Sequence, residues 1–456
     1  MNIKINIPED ANKIIHTLQD NGYEGYIVGG CCRDVILGRK PKDWDITTSA
    51  TPEQVMEVFK DEYIIPTGLQ HGTVTIMLNG IGYEVTTYRV DGDYSDNRRP
   101  DSVEFTTSLL DDLRRRDFCI NSMVYNDKDG LIDPFGGLED LENKIIRCVG
   151  SAEDRFNEDA LRMLRAIRFA CQLDFEIHPS IGWQIGYTDI IKKLDNISAE
   201  RINSEFVKIV MTNQFYKRLV WNHGVFTLFI PELKDMIYCK QNNPYHIYDV
   251  FLHTVKTLEK CDSDDLVVRL ALLFHDIGKP HCKTTDENGI DHFKGHGLVS
   301  SDMTFLIMKR LRFDNETRND VVELVRYHDT TFEAGKKYVK RWLNKIGEKQ
   351  FRRLLEVRKA DIKAQNPIYE KERLAKVRDI ERLLDEVIRE NECFSLKNLA
   401  VNGNDVQTVM QLKEGKDIGY WLKEILDRVI NGELNNNKDD LIQWMTGVAD
   451  GWIKVK

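Results

Sequence analysis

Apolar residues recur at Ala11, Ile14, Ile15 and Leu18, the spacing of one helical face, between Pro8 and the stop pair Asn21-Gly22. Gly25–Val28 then reads as a short strand, and Thr73–Leu78 and 83–88 have strand composition on either side of Asn79-Gly80. Helix and strand signals alternate in this way up to residue 150 or so, which predicts an α+β module with a small sheet. Beyond it the strand signals fade. The stretches 158–170, 199–212, 249–260 and 266–277 space their apolar residues as helices, and the rest reads mainly helical. Loop signals fall at 239–244, 284–295 and 401–404. The chain carries no internal repeat and no low-complexity tract.

Composition narrows the class. With 456 residues, 41% of them hydrophobic, and only 11 Pro, the chain can build real cores, and the length prior is about three domains. No apolar run approaches the roughly 18 residues of a membrane helix; 266–274 is short and interrupted by Arg269. Residues 1–7 alternate polar with apolar and do not read as a signal peptide. Nine Cys without a C-x-x-C pair fit thiols kept reduced, so a cytoplasmic location is expected. The net charge of -10 excludes an indiscriminate nucleic-acid coat and leaves any RNA contact to local basic surfaces. One such run, 340–363, sets nine basic residues against three acids. It reads either as a solvated helix face or as a surface for an RNA backbone.

The sharpest local chemistry begins at Gly29-Gly30, followed by Arg33. A strand running into paired glycines and a helix start lets backbone approach an anion such as a triphosphate, and Arg33 can add a charge-assisted bond. Next come Asp43 and Asp45. On a strand, residues two apart share a face, so the two carboxylates would converge while Trp44 points into the core. Carboxylates that close repel unless a metal bridges them, and two Mg²⁺ ions are expected here. Glu84 is a candidate third carboxylate.

Arg116, Asp117 and Asn121 follow. If Asp117 and Asn121 lie on one helix, their i, i+4 spacing puts both on one face, where they can bond ribose hydroxyls. Asp159 and Arg162, three apart on a helix that continues through Arg165, form a second pair. A carboxylate that accepts from an exocyclic amine, beside a guanidinium that donates to a ring nitrogen, suits cytosine and adenine. Uracil inverts that pattern and guanine breaks it.

The ordered set GGCCRD, KDWDI, PTGLQHGTVTI, EVTTYR, RRRDFCIN, DPFGG and EDALRMLRAIRF resembles the bacterial-type (class II) CCA-adding tRNA nucleotidyltransferases, members of the DNA polymerase beta superfamily. The resemblance implies a polymerase-beta-like head over 1–150, an all-α neck for base selection and RNA binding over 151–240, a body over 241–340 and a helical tail over 341–456. It implies an enzyme that adds C, C and A to the tRNA 3′ end from CTP and ATP, with tRNA and no DNA as partner. Asp43 and Asp45 would then hold the metals, and Gly29, Gly30 and Arg33 the triphosphate. Arg116, Asp117, Asn121, Asp159, Arg162 and Arg165 would bind the nucleotide. Two positions depart from the family's usual motifs, Cys32 before Arg33 and Cys119 after Phe118. The family's loop between sheet and R-R-D motif is present at 91–100, with Arg98 and Arg99, which favours full CCA addition over the alternatives of a CC-adding or A-adding enzyme.

His253, His275-Asp276, His296 and His328-Asp329 make a second constellation. Imidazole with carboxylate suits Mn²⁺, Ni²⁺, Zn²⁺ or Fe²⁺, and the order resembles the HD-domain metal phosphohydrolases. That resemblance implies a transition-metal site with phosphohydrolase activity, and an alternative in which this activity is the chain's main one.

Overall fold

The computed structural model describes residues 3–92, 102–186, 188–413 and 415–453. Arg98 and Arg99, with the rest of 93–101, lie outside the described residues. Within the N-terminal unit, Met1–Pro231, the strands include β1 (Gly25–Val28), β2 (Ile46–Thr48), β3 (Tyr63–Gly68), β4 (Thr73–Leu78), β5 (Ile81–Thr87), β6 (Arg89–Asp91), β7 (Val103–Phe105), β8 (Val124–Asn126) and β9 (Gly130–Ile132). Seven of them form one sheet in the order β3-β4-β5-β2-β1-β8-β9, while β6 and β7 pair separately. Neighbours in the large sheet are antiparallel except β2 and β5, which run parallel.

The first helix, Glu9–Asp20, buries Ala11, Ile14, Ile15 and Leu18, the face its spacing predicts. β4 and β5 are joined by the two-residue turn Asn79-Gly80, both at positive φ (49° and 79°). Leu78 pairs with Ile81 across it, so β5 begins two residues before the expected 83. β3 escapes a sequence reading because Pro66 interrupts it; it is an edge strand with a register shift between Ile65 and Gly68, where a proline is tolerated.

The expectation for the Asp43–Asp45 segment needs correction. β2 starts at Ile46, and both carboxylates lie on the extended lead into it, tied to β1 by the Val28 N–H donating to the Asp45 carbonyl at 3.0 Å. Trp44 is half-buried rather than a core residue, because this lead-in runs past the end of the three-residue strand. The helices Leu161–Leu173 and Ala199–Val210 then pack on each other, and Phe206, Phe215, Phe226 and Phe229 meet edge-to-face or tilted beyond them.

The second unit, Glu232–Lys456, is, among the described residues, helical apart from one two-stranded ribbon. Its helices include Val250–Glu259, Leu266–Phe274, His296–Arg310, Asn315–Tyr327, Lys336–Lys363 and Pro367–Arg389. Toward the C-terminus, Gly403–Val409, Lys416–Ile430 and Lys438–Ala449 close around Val406, Ile425, Leu426, Leu441 and Met445. The basic run 340–363 lies on Lys336–Lys363, which is broken at Gly347 (φ 77°). Six of its nine cations, Lys340, Arg352, Arg353, Arg358, Lys359 and Lys363, are held in ion pairs with carboxylates of the same unit. The run is therefore mostly spent inside the fold rather than presented to a phosphate backbone. No helix among the described residues is long and apolar enough to cross a membrane.

Candidate functional site

A cavity of about 600 Å³ in the N-terminal unit collects Gly29, Gly30, Arg33, Asp43, Asp45, Arg116, Asp117, Asn121, Asp159, Arg162 and Arg165. All of the head residues singled out from the sequence thus line one space, except Glu84. Seven arginines line it against four aspartates, a positive excess that suits a polyanion.

The glycine turn follows from backbone geometry. Gly29 has φ 77°, so any other residue would strain the turn, and a Cβ there would come into ordinary contact with Arg116 Nη1 at 3.4 Å. The helix Gly30–Ile36 starts directly after it and presents Arg33. Arg33 Nη1 donates to Asn121 Oδ1 at 2.7 Å, and its Nε and Nη2 donate to Asp34 Oδ1. The guanidinium groups of Arg33 and Arg168 both lie over the Phe169 ring, at 5.1 and 4.3 Å.

Asp43 is exposed and Asp45 half-buried. Burial, then the charges of Asp43 and Glu84, push the Asp45 carboxyl up to about 6 against the pull of Arg116. A carboxylate pair that repels in this way is the donor set a divalent cation relieves, so the residues fit one. Glu84 sits exposed on β5, one residue before the Val85 that pairs with Ile46. It acts on Asp45 through charge and does not line the cavity.

Asp117 and Asn121 do meet, though not on a helix. The helix Leu109–Arg114 ends before them, and a 3₁₀ turn, Cys119–Asn121, folds Asn121 back so that its Nδ2 donates to Asp117 Oδ1 at 3.2 Å. Arg165 donates twice to Asp117 Oδ2, and the Phe118 N–H donates to Oδ1 at 2.8 Å. Burial alone would raise the Asp117 carboxyl; Arg165 and Arg162 outweigh it and hold it at about 2. Beneath them Asp112, fully buried, accepts from Arg115 and Arg116 and fixes both guanidinium groups.

The Asp159–Arg162 pair also departs from expectation. The helix Ala152–Glu158 ends at Asp159, whose φ of -139° and ψ of 105° are extended, and a new helix, Leu161–Leu173, begins beyond it. One residue before that helix's N-cap, Ala160, Asp159 accepts from the Leu161 N–H at 3.0 Å. Its Oδ2 accepts from Arg201 at 2.8 Å, while Arg162 bonds Glu158 and the Arg115 carbonyl. The i, i+3 ion pair is absent, so both groups reach the cavity with other partners. Arg201 was not legible in the sequence, for it lies 42 residues away on another helix.

In the second unit a cavity of about 1060 Å³ has Asp276, His296 and His328 in its wall. His253, His275, Asp276, His296 and His328 come together there, as expected. Asp329 lines the same cavity but stands apart from the cluster: it is exposed, with Arg358 at 4.0 Å. Its place is taken by Asp361, buried, with Oδ1 3.0 Å from His253 Nε2. In sequence Asp361 is one of the three acids of the basic run, and only the folded helix aims it inward. His275 Nε2 and Asp276 Oδ1 make no hydrogen bond although fully buried, while Asp276 Oδ2 is held by the Lys279 ammonium at 2.7 Å. Buried imidazole and carboxylate atoms gathered in this way form a candidate donor set for a metal ion. His281 is half exposed against Asp235, and His246 lines the cavity wall.

Comparisons with known proteins agree on one relationship. Residues 25–147 match the Poly A polymerase head domain, 174–237 an RNA and SrmB-binding site of polymerase A, and 299–445 tRNA nucleotidyltransferase domain 2. A CCA-adding enzyme of Oceanobacillus iheyensis is 49% identical over 199 residues, 44% of this chain; that match spans about half of the relative, 49% of its length. A CCA-adding enzyme of Geobacillus sp. is 34% identical over 444 residues, 96% of each chain. Among solved structures, the Bacillus stearothermophilus CCA-adding enzyme in complex with CTP aligns over 97% of this chain and 98% of its own, at 26% identity and a TM-score of 0.69.

Proposed function

The chain belongs to the CCA-adding enzyme family of nucleotidyltransferases, and on that footing we propose that it adds C, C and A stepwise to the 3′ end of tRNA from CTP and ATP, without a template, in the cytoplasm. The observation that carries this reading is the convergence of the two metal-type carboxylates, the glycine turn and the nucleotide-type residues on one arginine-lined cavity.

In this reading the tRNA 3′-hydroxyl oxygen attacks the α-phosphorus of the bound nucleotide in line. A new phosphorus–oxygen bond forms, the bond to the bridging oxygen breaks, pyrophosphate leaves and the hydroxyl proton is lost. Two Mg²⁺ ions held by Asp43 and Asp45 would supply the charge that lowers the hydroxyl's pKa and neutralises the leaving pyrophosphate. The chain's own groups do the positioning: Gly29, Gly30 and Arg33 at the triphosphate, and Arg116, Asp117 and Asn121 at the ribose. Asp159 accepts from the base's exocyclic amine and Arg162 donates to its ring nitrogen. To do so Asp159 exchanges its bond from Arg201, and Arg162 its bond to Glu158, for the base.

The test uses purified protein, Mg²⁺ and tRNA transcripts ending before CCA, after C and after CC, with CTP and ATP supplied and the 3′ ends sequenced. Completion to CCA on all three, with UTP and GTP refused, is expected. A stop at CC, or no incorporation, overturns the reading. Asp43→Ala is expected to abolish incorporation of both nucleotides while tRNA binding survives.

A second activity is supported by the buried cluster in the other unit. There His253, His275, Asp276, His296, His328 and Asp361 would hold a transition metal, whose bound water would be acidic enough to hydrolyse a phosphoester. Metal-dependent release of phosphate from a nucleoside phosphate, abolished by Asp276→Ala with CCA addition intact, is the expected result.

A further inference from the structure

We propose that Phe169 is the positioning residue that gathers arginines of the nucleotide cavity for the triphosphate. This role rests on the nucleotide reading above and concerns what keeps the guanidinium groups in place before an anion arrives.

Three cations share the one ring. The guanidinium carbons of Arg33, Arg165 and Arg168 lie 5.1, 5.6 and 4.3 Å from its centroid. Arg33 comes from the helix Gly30–Ile36 that follows the glycine turn, and the other two come from Leu161–Leu173. The ring is therefore the point where the charges of two helices meet. Like charges gathered in this way repel. Each is paired with a carboxylate of its own: Arg33 with Asp34 at 2.8 Å, Arg165 with Asp117 at 2.8 Å, and Arg168 with the buried Glu205 at 2.7 Å. Those carboxylates sit on separate segments, whereas the partner that all three cations share is the negative face of Phe169.

The ring itself is fixed. Phe169 is 6% exposed, lines the cavity, and meets the fully buried Phe118 at 5.7 Å with the two planes at 80°. Phe118 directly follows Asp117, so the carboxylate that holds Arg165 and the ring that braces Phe169 are neighbours in the chain. Cation–π attraction is strongest where water is excluded, as it is against a ring this buried.

A neutral holder suits the task. A further carboxylate at this place would cancel part of the positive excess that draws a polyanion in, and an aromatic face gathers the cations without cancelling it. A free arginine side chain also loses much of its rotamer freedom when it grips a phosphate, so guanidinium groups already in place bind the triphosphate more tightly. Leucine at 169 would fill much of the same space and offer no such face, so packing and cation attraction at this position are separable.

The experiment keeps the shape of residue 169 and changes its electrons. The full chain is prepared with phenylalanine and with mono-, di- and trifluorinated phenylalanine at position 169 alone; fluorine withdraws charge from the ring face with little change in size. KM and kcat for CTP and ATP are measured on tRNA ending before CCA and after CC, with inorganic tripolyphosphate as a competing anion. KM and the tripolyphosphate inhibition constant are expected to rise together with each fluorine, to about tenfold for the trifluorinated ring. The kcat, the refusal of UTP and the melting temperature should stay as they are. Phe169→Leu should raise KM at least as far. A KM that does not change along the series, in protein that incorporates nucleotides, overturns the role of Phe169 and leaves the nucleotide reading in place. So does a melting temperature that falls in step with the rise in KM, which is the mark of packing alone. No incorporation by the unaltered chain overturns the nucleotide reading and the role of Phe169 with it. The fluorinated rings decide the matter even where Phe169→Leu does not fold.

Discussion

Adding one methyl group at Gly137 tests how the nucleotide cavity is held in shape. Gly137 opens the helix Gly137–Glu142, and Asp133 ties that start down by accepting from the Gly137 and Leu138 N–H groups at 2.7 and 2.8 Å. The helix is thereby pressed on the 3₁₀ turn that carries Asn121. A Cβ at Gly137 would lie 2.3 Å from the Cys119 carbonyl oxygen and 2.9 Å from its carbon. Ordinary contact begins near 3.4 Å, so turn and helix must part by about 1 Å. Overpacking of this kind costs about 1–3 kcal/mol of stability. A shift of about 1 Å at a positioning group costs about a hundredfold in rate. Asn121 is two residues along the displaced turn and links Asp117 to Arg33, so Gly137→Ala should depress incorporation of CTP and ATP about a hundredfold while removing no polar group. The assay is single-turnover extension of a tRNA ending in C, beside urea unfolding. Gly130→Ala is the matched control: Gly130 has φ 75° with nothing within 4 Å of its Cβ, so it should lose about 1 kcal/mol and keep its rate. If Gly137→Ala extends tRNA as fast as Gly130→Ala, the tight packing under Cys119 does not hold Asn121 in place and the reasoning is refuted.

Four further expectations follow from the same geometry. Asp117, held at about 2 rather than the ordinary 3.8, stabilises the fold by about 2 kcal/mol at neutral pH, fully present above about pH 4 and lost as pH falls toward 2. Asp117→Asn should therefore lower stability by about that amount at pH 7, with the gap narrowing through about pH 3; a gap that stays constant down to pH 3 would contradict it. Asp159→Ala should raise misincorporation of UTP, read by sequencing 3′ ends, whereas unchanged fidelity would remove Asp159 from base selection. Arg201→Leu should free Asp159 from its long-range ion pair and lower the KM for CTP or ATP, with discrimination against UTP kept. In Mg²⁺-free buffer, where the first unit carries no ion to lose, chelator should lower the melting temperature of the second unit and spare the first, since an ion at 100 times its Kd is worth about 2.7 kcal/mol.

Local pattern determined a good deal of this protein. The face of Glu9–Asp20, the hairpin at Asn79-Gly80 and the helical character after residue 150 follow from periodicity and turn chemistry, which act between near neighbours. The candidate residues of the nucleotide cavity were legible for the same reason: glycines, paired carboxylates and arginines carry their chemistry in their type and spacing. What spacing could not decide is which partner a charged group takes. Asp159 and Arg162 are neighbours by number, yet a helix break at Asp159 gives one to Arg201 and the other to Glu158. Asp117 and Asn121 meet through a 3₁₀ turn where a helix face was expected. The metal-type cluster shows the limit most clearly. Asp329 adjoins His328 in sequence, but the helix Asn315–Tyr327 ends there and leaves it exposed on the cavity wall, apart from the cluster. Asp361, 85 residues beyond Asp276, is brought to His253 by the packing of Lys336–Lys363. Burial and ion pairing are properties of surfaces that meet in space, so the tertiary structure alone could choose between these two aspartates.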